Sequence, residues 1–321
     1  MYTIKDKQIV VFGGSGFLGR VVVNRLARGG AYVTVVSRHP ERHRELKVLP
    51  RLQLVTGDVR DPACVGRILD GQNAAVNLVG VLGGGGRRLQ ALHVDWPARL
   101  VQSGTGLERL VHVSAIGADP DARSQYLASK GEGEARIRTA GIPWTIIAPS
   151  VIFGPGDGLF GRFARLFEMV PGVIPVIKPR ARFSPVYVAD VAAAIGYSLT
   201  RPDLAGERLE VGGPETWTLR EIMCYTRRLI GVRRLLLNVP DGLASIQAAW
   251  MGLLPGEPFS SDQLRTLGAG SVVTDNALER LGVEPTPVSA VVPYYLGDQR
   301  RQVVFNRYRH SHSRDVSITL S

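Results

Sequence analysis

The stretch Gly13-Gly14-Ser15-Gly16-Phe17-Leu18-Gly19 decides the fold of this chain. It follows a short apolar run, Gln8–Phe12, and opens the helical stretch Phe17–Arg28. The spacing Gly-x-x-Gly-x-x-Gly is a variant of the dinucleotide fingerprint: one glycine permits a tight turn, the next lets the backbone approach a pyrophosphate, and the last lets helix and strand pack closely. The helix N-terminus then offers unpaired N–H groups to phosphate. An ordinary glycine turn is the alternative, but the strand–turn–helix order favours a nucleotide loop.

Apolar runs continue to alternate with helical stretches along the first half of the chain. Runs rich in Val, Ile and Leu are typical of parallel strands buried on both faces, with helices as the crossovers. The sequence therefore predicts an α/β fold with a Rossmann-type, doubly wound parallel sheet. The predicted strands are Gln8–Phe12, Tyr32–Ser37, Leu52–Thr56, Ala74–Val79, Leu110–Ser114 and Trp144–Ala148, and the helical stretches are Phe17–Arg28, Ala63–Leu69, Leu89–Gln102 and Tyr126–Thr139.

The rhythm changes near the turn Gly154-Pro155-Gly156-Asp157. We expect residues 1–150 to form a dinucleotide-binding domain, residues 151–298 a smaller, irregular α+β lobe, and residues 299–321 a basic tail. Residues 184–199 are expected to return to the first domain. Within the lobe the patterns predict helices at Phe160–Met169, Val186–Leu199 and Thr218–Ile230, the last opening at Thr218 with Glu221 three residues on, and a short strand at Arg208–Val211.

Composition excludes several classes of protein. With 45% hydrophobic and 21% charged residues among 321, the chain is typical of a folded globular protein and not of a disordered or fibrous one. Its two cysteines, Cys64 and Cys224, make no disulfide framework, and no Cys/His spacing resembles a zinc site. We therefore expect a cytoplasmic protein without a metal. The first residues lack a secretory pattern, and the longest apolar candidate, 235–254, is too interrupted by polar residues to span a membrane.

The chain is basic, with 39 Lys and Arg against 28 Asp and Glu and a net charge of +11. Such a surface favours anionic partners, and a solvated basic face is the alternative. Since only charge supports nucleic acid, we do not expect it as a partner. If the apolar stretch 235–254 is exposed, the basic tail 299–321 beside it suits an anionic membrane surface, which indicates a peripheral position on the inner membrane. Packing of that stretch into the lobe is the alternative.

The end of the second predicted strand indicates which dinucleotide is bound. An acid at this position would bond the 2′-OH of NAD, whereas a basic residue accommodates the 2′-phosphate of NADP. Ser37-Arg38 stands here with no acid, so the sequence favours NADP(H) over NAD(H). Arg38 as one more surface arginine is the alternative. Asp58, after the third strand, is placed to accept a hydrogen bond from the adenine amino group, or else it is a loop acid or helix cap.

A second group of residues has the chemistry of a catalytic site. Tyr126 and Lys130 lie four residues apart, hence on one helical face, and Ser114 ends the preceding strand. In such a set the lysine lowers the tyrosine pKa and holds the nicotinamide ribose, the tyrosine gives or takes a proton, and the serine positions a substrate oxygen. An exposed helical Tyr and Lys are the alternative. The positions expected to hold the cofactor are Gly13, Ser15, Gly16, Phe17, Leu18, Gly19, Ser37, Arg38, Asp58, Val59, Val79, Lys130 and Pro149.

These residues resemble the short-chain dehydrogenases/reductases, in their extended or atypical, epimerase/dehydratase-like branch. More closely, the chain is similar to the nucleotide-binding accessory subunit of respiratory complex I and its bacterial relatives. The resemblance runs from Ile9 to Arg309. It rests on Phe12–Arg20, Val76–Gly80, Val111–Ser114, Tyr126–Lys130 with Gly133-Glu134, Pro149–Gly154, Pro185–Val191 and Leu281–Pro287.

The resemblance implies a nicotinamide dinucleotide on the glycine loop, with Arg38 on its 2′-phosphate, Asp58 near adenine, and Tyr126 and Lys130 beside the nicotinamide ribose. It also implies two alternative functions. One is an NADP(H)-dependent oxidoreductase that acts on a quinone or a hydrophobic carbonyl, and we favour this enzyme. The other is a non-catalytic accessory or assembly factor of a respiratory complex, with NADPH bound structurally.

Overall fold

The computed structural model describes residues 3–239 and 261–296. Its largest element is a sheet of seven parallel strands: β1 (Gln8–Phe12), β2 (Tyr32–Ser37), β3 (Leu52–Thr56), β4 (Ala74–Asn77), β5 (Arg109–Val113), β6 (Trp144–Pro149) and β11 (Glu207–Val211). Their spatial order is β11-β6-β5-β4-β1-β2-β3. The order reverses between β1 and β4, which is where sheets of this kind bind ligands. The predicted doubly wound Rossmann-type sheet is confirmed.

Apolar side chains cover both faces of this sheet. In β1, Ile9 and Val11 belong to one buried cluster, and Val10 and Phe12 belong to another on the opposite face. Such two-sided burial explains why the strands appear in the sequence as continuous apolar runs. The helices in the sheet's two outer layers are α1 (Phe17–Arg28), α2 (Pro62–Leu69), α3 (Gly86–Leu89), α4 (Trp96–Ser103), α5 (Gln125–Arg138) and α7 (Val188–Thr200).

Two element boundaries around β4 differ from the sequence patterns for local reasons. β4 ends at Asn77 rather than at the predicted Val79, because the Asn77 side chain accepts the Val79 N–H at 3.1 Å and the backbone leaves the ladder there. Between α3 and α4 lies a π-helical segment, Gln90–Asp95. The predicted helix Leu89–Gln102 therefore contains a wide turn of a kind that is frequent at functional sites.

The smaller lobe surrounds its own core, which includes Phe153, Phe160, Phe163 and Phe167. This confirms the predicted irregular α+β lobe. Its elements are β7 (Ile152–Phe153), α6 (Phe160–Met169), β8 (Val173–Ile177), β9 (Arg182–Phe183), β10 (Val186–Tyr187), β12 (Trp217–Thr218), α8 (Leu219–Ile230), β13 (Leu235–Val239), α9 (Ser261–Ala269), α10 (Ala277–Arg280) and α11 (288–296).

Two predicted helices of the second half have different outcomes. α8 begins at the predicted N-cap: Thr218 Oγ1 accepts the Glu221 N–H, and the Glu221 carboxylate accepts the Thr218 N–H. The predicted helix Val186–Leu199 instead begins two residues late, because Val186 and Tyr187 form β10 and pair with β7.

The main sheet includes a strand, β11, that lies after residue 150, the expected end of the first domain. α7 packs against α1, and β11 pairs with β6 from Glu207–Thr145 to Val211–Pro149. Residues 207–211 were expected in the smaller lobe, and this expectation was wrong. β11 is an edge strand in which charged residues alternate with buried Leu209 and Val211, so it lacks the apolar run of the inner strands. One of those charges, Arg208, forms an ion pair with Glu134 of α5 at 3.0 Å.

Within the described ranges, no helix combines the length and the apolar composition needed to cross a bilayer. In those same ranges, no three His, Cys, Asp or Glu side chains come together as metal ligands. The basic tail 299–321 and residues 240–254 of the apolar stretch lie outside the described residues.

Candidate active site

The glycine loop lies between β1 and α1, against the backbone that follows β4. Gly13 has a φ of +81°, and a Cβ at this position would lie 3.0 Å from the Leu78 carbonyl. A Cβ on Gly19 would lie 2.3 Å from the Gly13 oxygen. Gly16 is the N-cap of α1, with no side-chain cap, and the first turn carries no acid. The first N–H groups of α1 are therefore available to an anion.

The non-glycine residues Ser15, Phe17 and Leu18 of the loop contact different parts of the structure. Phe17 and Leu18 line a cavity beside the sheet. The Ser15 carbonyl accepts a hydrogen bond from Arg20 Nε at 3.1 Å, which fixes the first turn of α1 from outside.

Ser37 is the last residue of β2, and Arg38 follows it at the same edge of the sheet. Ser37 Oγ accepts the His39 N–H at 3.1 Å. Arg38 is exposed, and among the described residues its guanidinium has no hydrogen bond or ion pair. β2 and β5 are three strand spacings apart, about 14 Å, a distance that an extended dinucleotide can bridge.

Asp58 and Val59 follow β3 and are held by arginines. The Asp58 carboxylate pairs with Arg60 at 2.6 Å, and this partner lowers the pKa of Asp58 to about 2. The Val59 carbonyl accepts a hydrogen bond from Arg99 at 2.8 Å. Asp58 is thus ionised and can accept a hydrogen bond from an amino group, but Arg60 donates to both of its oxygens.

A buried polar network supports the loop after β4, and the sequence analysis did not assign it a role. Asn77 is fully buried; its Oδ1 accepts from Trp96 Nε1 at 2.9 Å and from the Val79 N–H, and its Nδ2 donates to His112 Nδ1 at 2.9 Å. Burial holds the pKa of His112 well below its ordinary value, so the ring is neutral. This network places Val79 next to Gly13, where a glycine Cβ would lie 3.1 Å from the Val79 nitrogen.

Ser114, Tyr126 and Lys130 line the same cavity. Ser114 is 4% exposed, and its buried hydroxyl has no hydrogen-bond partner among the described residues. Lys130 is 5% exposed and donates a hydrogen bond to the Val113 carbonyl at 3.0 Å. The structure therefore brings together the three residues that the sequence proposed as catalytic.

The charges of this trio follow from burial. Loss of water around the amine lowers the pKa of Lys130 to about 8, although the nearby Glu134 carboxylate opposes that shift. Burial raises the pKa of Tyr126 to about 12. The expected lowering of the Tyr126 pKa by Lys130 is not found, because desolvation of the phenol dominates. Near neutral pH the tyrosine is protonated and the lysine is largely cationic.

His93, in the π-helical segment, holds Tyr126 and the loop after β4 together. Its Nε2 accepts the Val81 N–H at 3.0 Å, and its Nδ1 donates to Ser129 Oγ at 2.8 Å. Ser129 in turn donates to the Tyr126 carbonyl at 2.8 Å. The His93 and Tyr126 rings meet edge to face, with centroids 5.6 Å apart. Burial and the Lys130 charge lower the pKa of His93 to about 3, so it is a neutral positioning group.

The smaller lobe caps the helix that carries the tyrosine. Asp262 in α9 accepts the backbone N–H groups of Gln125 and Tyr126 at 2.8 and 3.0 Å. Thr266 Oγ1 lies 2.7 Å from the hydroxyl of Ser124, the N-cap of α5. The N-terminus of α5 is thereby held by a segment far away in the chain.

The cavity bounded by these groups has a volume of about 420 Å³. Its inner wall contains the trio, and its outer wall comes from the smaller lobe and is mainly apolar. Pro149, at the end of β6, also borders it. Side chains of the outer wall include Val151, Leu159, Arg162, Phe163, Phe183 and Leu267.

Comparison with known proteins defines the class. Residues 13–158 match a family model described as NAD(P)H-binding. The structure of MoeE5 in complex with UDP-glucose and NAD has the same fold, with a TM-score of 0.70 at 17% identity over 92% of this chain and 99% of that one. The chain therefore contains an NAD(P)H-binding domain with a Rossmann-type fold.

Two relatives narrow this class. The chain is 31% identical to the mitochondrial NADH dehydrogenase (ubiquinone) 1 alpha subcomplex subunit 9 of rat. The 300 aligned residues cover 87% of this chain and 76% of the relative. It is also 29% identical to a ceramide reductase of Caulobacter vibrioides, over 76% of this chain and 78% of the relative. The chain belongs to the family of this NADH dehydrogenase subunit, and the predicted resemblance is confirmed.

Proposed function

We propose that the protein is an NADP(H)-dependent oxidoreductase that reduces a hydrophobic carbonyl compound or a quinone. The observation that carries the proposal is the shared cavity of Ser114, Tyr126 and Lys130 beside the glycine loop. The exposed Arg38, with no acid at the end of β2, supports NADP(H) as the preferred cofactor.

The residues of the site fit a nicotinamide dinucleotide. The open N-terminus of α1 suits its pyrophosphate, and the unpartnered Ser114 hydroxyl suits a polar group at the other end of the site. When bound, the reduced cofactor supplies a hydride to the carbonyl carbon. Tyr126 donates its phenolic proton to the substrate oxygen, and Ser114 donates a hydrogen bond to the same atom. For a carbonyl substrate the product is an alcohol, and the tyrosinate, whose pKa is raised by burial to about 12, regains a proton from water.

The outer wall of the cavity supports an apolar substrate. Leu159, Phe163 and Phe183 offer aliphatic and aromatic surface, and Ser114 is the buried hydroxyl opposite them. Pockets of this kind bind an apolar body and orient it with a few polar groups. The name of the Caulobacter relative, a ceramide reductase, agrees with a lipid-like substrate.

The test uses purified protein with NADPH or NADH, short-chain quinones and long-chain ketones, followed through nicotinamide fluorescence. We expect substrate-dependent oxidation of NADPH and a decrease of about 10²- to 10⁴-fold in turnover for Tyr126→Phe, with nucleotide affinity within a few-fold. Tyr32→Phe, at an exposed tyrosine away from the cavity, is the matched control. Undiminished turnover in Tyr126→Phe contradicts the mechanism.

A second function is favoured by the similarity to the mitochondrial subunit. In this alternative the same site holds NADPH structurally within a respiratory assembly, and the basic tail keeps the protein peripheral on an anionic membrane. NADPH that binds tightly and stays reduced with every substrate supports this alternative. A preference for NADH contradicts the role proposed for Arg38 in both functions.

A further inference from the structure

Two strands of the smaller lobe form a ribbon with an apolar outer face. β8 and β13 pair in parallel, with Leu235 beside Val173 and Leu237 beside Pro175. Because side chains alternate along a strand, every second residue points to the same side. We call the outer side the ribbon face; it consists of Val173, Pro175, Ile177, Leu235, Leu237 and Val239.

The two sides of the ribbon differ in exposure, except at Asn238, which is exposed on the inner side and accepts a hydrogen bond from Arg220. Ile174 and Val176, on the inner side, are at most 1% exposed and belong to the lobe core. On the ribbon face, Val173 is 41%, Leu235 70% and Leu237 62% exposed. Single exposed apolar residues are ordinary, but a contiguous aliphatic surface marks an interaction site.

The lobe segments that contain the ribbon face are strongly basic. The lobe segments that contain it, residues 160–182 and 219–239, hold ten Lys and Arg and only two Asp and Glu. Arg233, just before β13, and Arg180, just after β8, are both exposed and lie toward opposite ends of the ribbon. An apolar centre with basic residues around it complements a surface that is apolar inside and anionic outside.

We propose that the ribbon face docks the protein on an anionic lipid surface, with the leucines in the headgroup region and the arginines on lipid phosphates. The face holds aliphatic side chains and proline, whereas protein interfaces are enriched in tyrosine and tryptophan. Docking does not depend on chemistry at Tyr126, so it survives failure of the proposed reductase activity. It rests on the second proposed function, in which the protein is peripheral on an anionic membrane, and assigns that contact to the ribbon face.

The experiment is co-sedimentation of the full chain with vesicles of phosphatidylcholine, with and without phosphatidylglycerol. We expect binding to the anionic vesicles that weakens with salt. The double variant Leu235→Ser/Leu237→Ser should bind at least about tenfold less, because two side chains lose apolar burial. Val48→Ser, at an apolar position 83% exposed in the main domain, is the matched control and should bind as the wild type does.

A second pair of substitutions tests whether the ribbon face binds anionic lipid rather than another protein. Arg180→Glu/Arg233→Glu should abolish the preference for anionic vesicles while leaving NADPH titration unchanged. The proposal is overturned if the leucine variant binds vesicles as the wild type does. It is also overturned if the wild type ignores vesicles and the leucine variant instead dissociates a dimer in gel filtration, since the face is then a protein interface.

Discussion

The nucleotide half of the site and its tyrosine half are assembled in different ways. In the nucleotide half, the contact that shapes the glycine loop joins near neighbours in the chain, Gly13 and Gly19, and the loop as a whole then packs on the backbone at Leu78. In the tyrosine half, α5 is held by His93, 36 residues from its partner Ser129, and by Asp262, 136 residues from Tyr126. One half is therefore a local motif, and the other half exists only after distant segments have packed.

The two halves also differ in their contact with water. Arg38 is exposed and the Asp58 carboxylate is ionised, with a pKa of about 2. In the tyrosine half, burial lowers the pKa of His93 to about 3 and that of Lys130 to about 8, and raises that of Tyr126 to about 12. We call the nucleotide half, with Arg38 and Asp58, the wet half, and the tyrosine half, with His93, Tyr126 and Lys130, the dry half. Binding of a charged cofactor suits the wet half, and controlled proton transfer suits the dry half.

The largest expected effect is in the local motif. Gly19→Ala places a methyl group 2.3 Å from the Gly13 oxygen, so helix and loop must separate. We expect a loss of about 3 kcal/mol in the free energy of unfolding and no measurable NADPH binding. Gly66→Ala, in α2 with nothing near its Cβ, should instead gain up to about 1 kcal/mol. Denaturant titration of both variants checks this, and equal effects would contradict it.

A smaller effect should come from the buried amine of the dry half. In the folded state the pKa of Lys130 is about 8, below its ordinary 10.5, so the unfolded chain binds the proton more tightly. The amine therefore destabilises the fold below pH 8, and this loss is recovered as pH rises toward 10.5. Relative to Lys130→Met, the wild type should gain about 2 kcal/mol between pH 7 and pH 9.5. A difference that is constant with pH would show that the amine is not desolvated.

The next effect should be confined to the wet half. Arg38→Ala should weaken NADPH binding about tenfold, or about 1.4 kcal/mol, and leave NADH binding unchanged, because only NADPH carries a 2′-phosphate. Arg42→Ala, in the same basic run, is the control. Fluorescence titration with both nucleotides measures the ratio, and an equal loss for NADH would remove Arg38 from cofactor choice.

The smallest effect tests whether the tyrosine half can be disturbed alone. Asp262→Ala removes a cap from α5 and should cost about 1 kcal/mol of stability. It should also lower kcat several-fold with little change in nucleotide affinity. Asp61→Ala removes the equivalent cap from α2, far from the trio, and should cost similar stability without changing kcat. Identical kcat values in the two variants would leave Asp262 with a purely structural role.

The difference between local and long-range contacts also explains how much of the site the sequence could predict. Gly13, Gly16 and Gly19 are visible because turn, close approach and packing each require glycine at a fixed spacing. Tyr126 and Lys130 are visible because four residues return to one side of a helix. Such short-range rules predicted the fold class, the nucleotide edge and the trio.

The remaining parts of the site have no short-range signature. His93 faces Tyr126 because of a π-turn that hydrophobic spacing does not predict, and Asp262 reaches α5 only through the packing of the lobe. The sequence offered only weak signals for these two residues: His93 lies in a predicted helical stretch, and Asp262 follows an apolar segment. The strand at 207–211 was assigned to the smaller lobe instead of the main sheet for a similar reason, since its pairing with β6 depends on the folded sheet.

The cap on α5 has a consequence for the order of events during translation. The glycine loop and Arg38 leave the ribosome early, whereas Asp262 follows Tyr126 by 136 residues, roughly ten seconds at bacterial elongation rates. The growing polypeptide therefore completes the residues of its glycine loop first, and the residue that caps the tyrosine helix last.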